Sequence, residues 1–227
     1  MIAKKIALIL SGCGHLDGAE ITEAVSLNIC LQQQGYSVVF FAPDRGTLDT
    51  VNHLNGQQQN ENRNIMVEAA RIARGQISPL DTLNVTEYQA IALPGGFGAV
   101  KNFSNFLSRG GSATLSEDIA QILVEAIRQK IALLGICAAP LILAMAVKEA
   151  GHRGQQITFG TRSQSKDFLD AIEPWGVEHI ETDISQCHID RQYRLVTSAA
   201  YMYATANAAE IFSGVQTTVA GLDALLS

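Results

Sequence analysis

Residues 130–148, KIALLGICAAPLILAMAVK, set seventeen uncharged, mostly apolar residues between two lysines, and their reading decides the fold. A run of that length reaches the lower edge of a bilayer-spanning helix. Its centre argues against one. Gly135 is a poor helix-interior residue, and Pro140 would remove a backbone donor and clash with the preceding turn. The pattern predicts instead a buried strand over 131–134, a sharp turn, and a helix carrying Pro140 in its first turn, where proline is tolerated. Cys137 then sits on the turn. Gly135 before it, with Ala138 and Ala139 after it, leaves room for a tight, strained backbone. That arrangement has the form of a nucleophile elbow, G-x-S-x-G, with Cys for Ser and Ala for the last Gly. A second reading stands beside it, because free cysteine often serves as a small buried hydrophobe.

Composition sets the outer bounds. The 227 residues suit one α/β domain spanning 1–227 with a sizeable core. Hydrophobic residues at 47% against 17% charged ones, with 19 glycines, exclude a disordered chain. The net charge of −6 comes without a basic block, so nucleic acid is not an expected partner. Near the start, MIAKKIALILSGCG holds an apolar run only over 6–10, too short for a signal-peptide core and of ordinary strand length. No membrane partner is expected. Cys13, Cys30, Cys137 and Cys187 lie far apart with no CxxC pair, which points to a reducing cytoplasm and to neither a disulfide framework nor a zinc site.

Outward from the elbow, the elements alternate. Residues 5–10 read as a strand ending in the glycine-rich loop SGCGHLDG at 11–18. Glycines 12, 14 and 18 are one residue too widely spaced for a dinucleotide fingerprint. A helix is predicted over 19–34, with Glu20 and Glu23 three residues apart near its positive end. With Asp17 as N-cap, Glu20 takes a capping-box position, which leaves Glu23 without that structural role. Residues 37–41 read as a strand and 47–62 as an irregular insertion in which His53 is a local hydrogen-bonding residue. A helix follows over 64–74, and Ser78-Pro79-Leu80-Asp81 reads as a break. The strand at 90–93 ends in Pro94-Gly95-Gly96, a glycine pair that is either a plain tight turn or a place for an oxyanion hole. Beyond it lie a helix over 117–129 and, past the elbow, a short strand at 156–159 and a helix at 167–173. Residues 177–183 and 186–197 read as an antiparallel edge ribbon, followed by two helices over 201–212 and 215–226.

Such alternation implies a three-layer, doubly wound, mostly parallel sheet. In these sheets ligands bind beyond the carboxyl ends of the strands. The glycine loop, the glycine pair and Cys137 all fall at that end, and their convergence favours a functional thiol.

With ILSGCGHLDGAEITEAV, FAPD, NHLNG, LPGGFGAVKNFSNF, GICAAP and TSAAYMYA in view, the sequence resembles the class I glutamine amidotransferase-like superfamily. That group includes PfpI proteases and protein deglycases, and the likeness is nearest to the ElbB-type glyoxalases, linked by name to isoprenoid biosynthesis. The resemblance implies a flavodoxin-like fold and makes Cys137 the reactive thiol, with Gly95, Gly96 and Ala138 as the backbone-donor region. It makes a first-helix carboxylate the partner of the thiol. Counting twelve residues back from Gly35 gives Glu23, with Glu20 as the alternative in a loop of different length. It also implies a homodimer. Two departures stand out: Ala138 replaces the histidine that many relatives carry after the cysteine, and His179 is followed by Ile-Glu rather than the amidotransferase Pro-Glu.

The expected chemistry is a cofactor-independent glyoxalase: Cys137 adds to a small dicarbonyl such as glyoxal, and Glu23 moves a proton between the two carbons. The helix N-terminus after the cysteine is expected to lower the thiol pKa. Two other expectations stay open, a redox-sensing protein with an oxidisable elbow cysteine and an amidase or peptidase.

Overall fold

Lys5–Ile9, Ala90–Leu93 and Ala132–Ile136 are apolar at almost every position, so neither face of these strands suits water and each belongs inside a helix-covered sheet. The computed structural model, which describes residues 4–227, places all three at the centre of a seven-stranded sheet. Strand β1 (Lys5–Ile9) leads through the glycine loop to α1 (Ile21–Gln33) and β2 (Ser37–Ala42). The insertion holds a small hairpin, β3 (Thr50–Val51) with β4 (Gln58–Gln59), before α2 (Ile65–Ile72) and the edge strand β5 (Ile77–Pro79). The chain then crosses to the other side of β1 and forms β6 (Ala90–Leu93), α3 (Phe97–Phe103), α4 (Phe106–Arg109), α5 (Glu117–Arg128), β7 (Ala132–Ile136) and α6 (Ala139–Glu149). Next come β8 (Gln156–Ile157), α7 (Lys166–Ile172), β9 (Glu178–His179), β10 (Cys187–Asp190), β11 (Leu195–Ser198) and α8 (Ala208–Leu226).

The sheet order is β10-β11-β7-β6-β1-β2-β5, and every neighbouring pair is parallel except β10 with β11. Helices α6 and α8 both pack on β7. The fold is the expected doubly wound, flavodoxin-like three-layer architecture. Winding proceeds outward from β1 to β2 and β5, then reverses from β6 to β7 and β11. The reversal lies between β1 and β6, the switch point where open α/β sheets bind ligands. The long apolar run is therefore a central strand plus a helix buried at every position from 139 to 147. Among the described residues, no helix is long and apolar enough to cross a membrane.

Several expectations change. Ile77–Pro79 is an edge strand and not a break, because an edge position needs no ladder donor from proline. Helix α3 had no periodic signal; Gly98 lies in it because a Cβ there would collide with the Gly18 backbone. Residues 177–183 leave the ribbon, since β9 pairs parallel with β8 in a separate small sheet while β10 and β11 form the hairpin. The two C-terminal helices are one, α8, opened by an Asn207/Glu210 capping box after a 3₁₀ turn at Ala200–Met202. Gly214 does not break it. Its lack of a side chain lets the helix pass the Ile184 carbonyl, which a Cβ would strike.

Candidate active site

Cys137 follows β7 directly and has a φ of 59°, a left-handed conformation that residues with a Cβ rarely adopt. Its N–H donates to the Ser198 carbonyl at 3.0 Å, and Ala138 caps α6 with Pro140 in the first turn, so strand and helix hold the residue from both sides. Gly135 makes the fold-back tight: a Cβ there would stand 2.9 Å from Leu143 Cδ1 of α6. These are the strand, turn and helix that the sequence predicts.

The carboxylate comes from α1. Glu20, not Asp17, is the N-cap, its side chain accepting from the Glu23 N–H at 2.7 Å. The capping box expected of Asp17 and Glu20 does not form. Asp17 instead accepts from the Val51 N–H at 2.7 Å and ties the glycine loop to the β3–β4 hairpin. His53 reinforces that tie as a local hydrogen-bonding residue, accepting from the Leu16 N–H at 3.2 Å.

With Glu20 on the cap, Glu23 falls in the first turn of α1 and points inward, fully buried. Its Oε2 accepts from the Gly95 N–H at 2.8 Å and its Oε1 from the Tyr201 N–H at 3.2 Å. The same carboxyl is hydrogen-bonded to the Cys137 thiol. A buried carboxyl without such partners would be prohibitively costly. Of the two glutamates considered, Glu23 meets the thiol and Glu20 stands one turn away as its cap.

The glycine pair completes the enclosure. A Cβ on Gly95 would collide with Cys137 Cβ and stand 2.8 Å from Glu23 Oε2 and 2.9 Å from Cys137 Sγ. Gly96, at φ 92°, has the Glu20 nitrogen 2.6 Å from where a Cβ would lie. Its own N–H and that of Ala138 both reach the Cys137 sulfur. The loops from β1 and β6 are stitched together: the Glu20 N–H donates to the Gly95 carbonyl at 3.0 Å, and the Gly98 N–H to the Gly18 carbonyl at 3.0 Å.

Burial dominates the electrostatics. It raises Glu23 to about 7, aided by the Glu20 charge and opposed by the hydrogen bonds from Tyr201, Cys137 and Gly95. Burial and the Glu23 carboxylate push the Cys137 thiol well above its ordinary value, against the pull of the Gly96 and Ala138 N–H groups. The expected lowering by the helix N-terminus is thus outweighed. The sulfur rests as a thiol, not a free thiolate, beside a carboxyl that holds its proton up to about 7.

Gly95, expected among the backbone donors at the thiol, gives its N–H to Glu23 instead, and the Tyr201 N–H is a further contact to Glu23 that the sequence did not reveal. It belongs to the turn after β11, where Ala200 has a φ of 43°. The small-residue run Ser198-Ala199-Ala200 behind a buried strand is the same kind of signal that marks the Cys137 elbow. Among the described residues, no three His, Cys, Asp or Glu side chains are grouped to hold a metal ion.

No family model matches the chain. It is 35% identical over 211 residues to a human protein, glutamine amidotransferase-like class 1 domain-containing protein 3, mitochondrial, covering 90% of this chain and 77% of that one. The rat ES1 protein homolog, mitochondrial, is 33% identical over 206 residues, covering 88% and 76%. Among solved structures, an isoprenoid biosynthesis protein with amidotransferase-like domain from Ehrlichia chaffeensis matches with a TM-score of 0.90 at 28% identity, over 99% of this chain and 100% of that one. A glyoxalase III from Candida albicans shares the fold alone, with a TM-score of 0.60 at 15% identity over 98% and 97%. The cytoplasmic expectation is overturned by the relatives, which are named mitochondrial. Widely spaced cysteines report a redox environment and not an address.

Proposed function

The chain belongs to the class I glutamine amidotransferase-like family that includes the ES1 proteins, and from that premise we propose that it is a cofactor-independent glyoxalase acting on glyoxal or a similarly small dicarbonyl. The observation that carries this reading is the Glu23 carboxyl, fully buried and hydrogen-bonded to the Cys137 thiol. A high-affinity thiol needs a base in contact with it, and Glu23 is that base. As the sulfur bonds to the aldehyde carbon, the thiol proton passes to Glu23 and the carbonyl electron pair moves to oxygen. The N–H groups of Gly96 and Ala138, aimed at the sulfur, are placed to stabilise that oxygen.

Glu23 then returns its proton to the oxygen and gives a neutral hemithioacetal. It next takes the proton from the sulfur-bearing carbon and delivers it to the neighbouring carbon, while the hydroxyl proton passes from the first oxygen to the second, so that one aldehyde is oxidised to a thioester and the other reduced to an alcohol. Water cleaves the thioester, restores the thiol and releases the 2-hydroxy acid. Glyoxal plus one water becomes glycolate, with no external oxidant.

Peroxide sensing fits the site less well, because an 8% exposed thiol of raised pKa is slow to oxidise. The test is glyoxal consumption with glycolate formation in purified parent, Cys137→Ala and Glu23→Gln proteins. Each variant is expected to lose at least about 10²-fold in kcat/KM. Parental turnover by Cys137→Ala would sink the proposal.

A further inference from the structure

Glu20 has so far figured as a helix cap, yet its position does more than close α1. Its side chain accepts from the Glu23 N–H at 2.7 Å, and its own N–H donates to the Gly95 carbonyl at 3.0 Å. The Gly95 N–H in turn donates to Glu23 Oε2 at 2.8 Å. The Gly95 peptide is thus gripped at both ends by the first turn of α1, and the next residue, Gly96, presents its N–H to the Cys137 sulfur.

Every element packed around the Glu23 carboxyl contributes a contact. The elbow supplies the Cys137 thiol, the turn after β6 supplies the Gly95 N–H, and the turn after β11 supplies the Tyr201 N–H. These three are uncharged dipoles. Among the described residues, the full charge acting on Glu23 is the carboxylate of Glu20.

We propose that Glu20 is a positioning residue of the cysteine site: it fixes the first turn of α1 against Gly95 and sets beside Glu23 a negative charge that adds to burial in holding its proton. It touches neither substrate nor sulfur. The consequence is a division of labour between two carboxylates three residues apart, one turned inward as base and one on the rim that sets the pH at which the base is free. A like charge close to a buried acid makes its ionisation harder. The proposal rests on Glu23 serving as the base for Cys137, but not on the identity of the substrate.

The experiment reads Cys137 without requiring turnover. Alkylation of Cys137 by iodoacetamide is followed by site-resolved mass spectrometry from pH 5 to 9 in the parent, Glu20→Gln, Glu20→Ser, Glu20→Asp and Glu23→Gln proteins. Gln and Ser keep a side-chain acceptor for the Glu23 N–H but remove the charge; Asp keeps both. The parent rate is expected to rise through a step at about 7. Both neutral variants should move that step down by roughly half to one pH unit, Glu20→Asp should restore it, and Glu23→Gln should abolish it. Melting temperatures separate loss of folding from loss of tuning. The assignment is overturned if the neutral variants keep the parental step, or if Glu20→Asp shifts as far as they do. Parallel assays with glyoxal keep the two proposals distinct: a shifted alkylation step without glyoxal consumption removes the glyoxalase reading and leaves the role of Glu20 intact.

Discussion

Cys13 and Cys137 both stand beyond the carboxyl ends of parallel strands, β1 and β7, and both lie among small residues. At the first, Gly12 and Gly14 take the positive φ values, 116° and 117°, and the cysteine between them is relaxed and partly exposed. At the second, the cysteine itself takes the left-handed conformation and its side chain is nearly enclosed. Acidity does not separate them. Burial raises both thiols, with Glu68 adding to the effect at Cys13 and Glu23 at Cys137. What separates them is convergence: Cys137 has a carboxyl hydrogen-bonded to its thiol and two backbone N–H groups on its sulfur. The proposed chemistry at Cys137 needs a thiol with a base in contact and donors waiting, not a thiol already ionised.

The largest effect that could break this comparison is on turnover. Cys137→Ser should reduce glyoxal consumption by at least about 10³-fold, since the strained turn remains but the hydroxyl is a far weaker nucleophile beside the same base. Next in size is a pH-dependent contribution to stability from Glu23, which has no counterpart in the glycine loop around Cys13. Glu23 holds its proton to about 7 in the native state but has an ordinary value of 4.5. Between those values the native state binds the extra proton. Stability is therefore full below about 4.5 and is lost as pH rises towards 7, by roughly 3 kcal/mol in all. Denaturant unfolding at several pH values should show that slope in the parent and lose it in Glu23→Gln.

Much of this site was legible because its signals are local. Gly135, Cys137 and Pro140 force a strand, a turn and a helix in that order, and a glycine pair behind a buried strand points to close backbone approach. The choice between Glu20 and Glu23 was not local. It depends on which residue caps α1, and Asp17 was drawn away from that task by the Val51 N–H, a partner 34 residues distant. Tyr201 was invisible for the same reason: its contribution is a main-chain N–H delivered across 178 residues by the turn after β11. In the fold, two of the errors fell on a proline and a glycine read by their local habits. Pro79 is itself the last paired residue of an edge strand, and Gly214 breaks no helix where a carbonyl needs the room.

A smaller effect tests whether the glycine pair belongs to the Cys137 region as intimately as its contacts imply. In Gly95→Ala the added methyl would press on both Cys137 and Glu23, so the thiol and carboxyl must part. Overpacking of this kind costs about 1–3 kcal/mol of stability. Turnover should fall further than stability does if the lost Cys137–Glu23 contact carries the proposed chemistry. A variant that melts early yet keeps parental kcat would show that the pair is merely structural.

The smallest expected effect is at Cys13, and it sharpens the comparison most because the two cysteines share so much sequence context. Cys13→Ser replaces a partly exposed thiol with a hydroxyl of similar size beside Glu68, Asp17 and Arg71. Neither cavity nor unpaired buried group results, so stability should change by less than about 1 kcal/mol and glyoxal turnover by less than about twofold. The backbone of this loop matters where its thiol does not: the Gly18 carbonyl receives the Gly98 N–H, and a Cβ on Gly18 would strike the Cys13 nitrogen. A large loss in Cys13→Ser would place a second thiol in the chemistry and remove the distinction between the two loops. A silent substitution there, beside a dead Cys137→Ser, would assign the glycine loop a purely structural duty, that of holding Glu20 and Glu23 against Gly95.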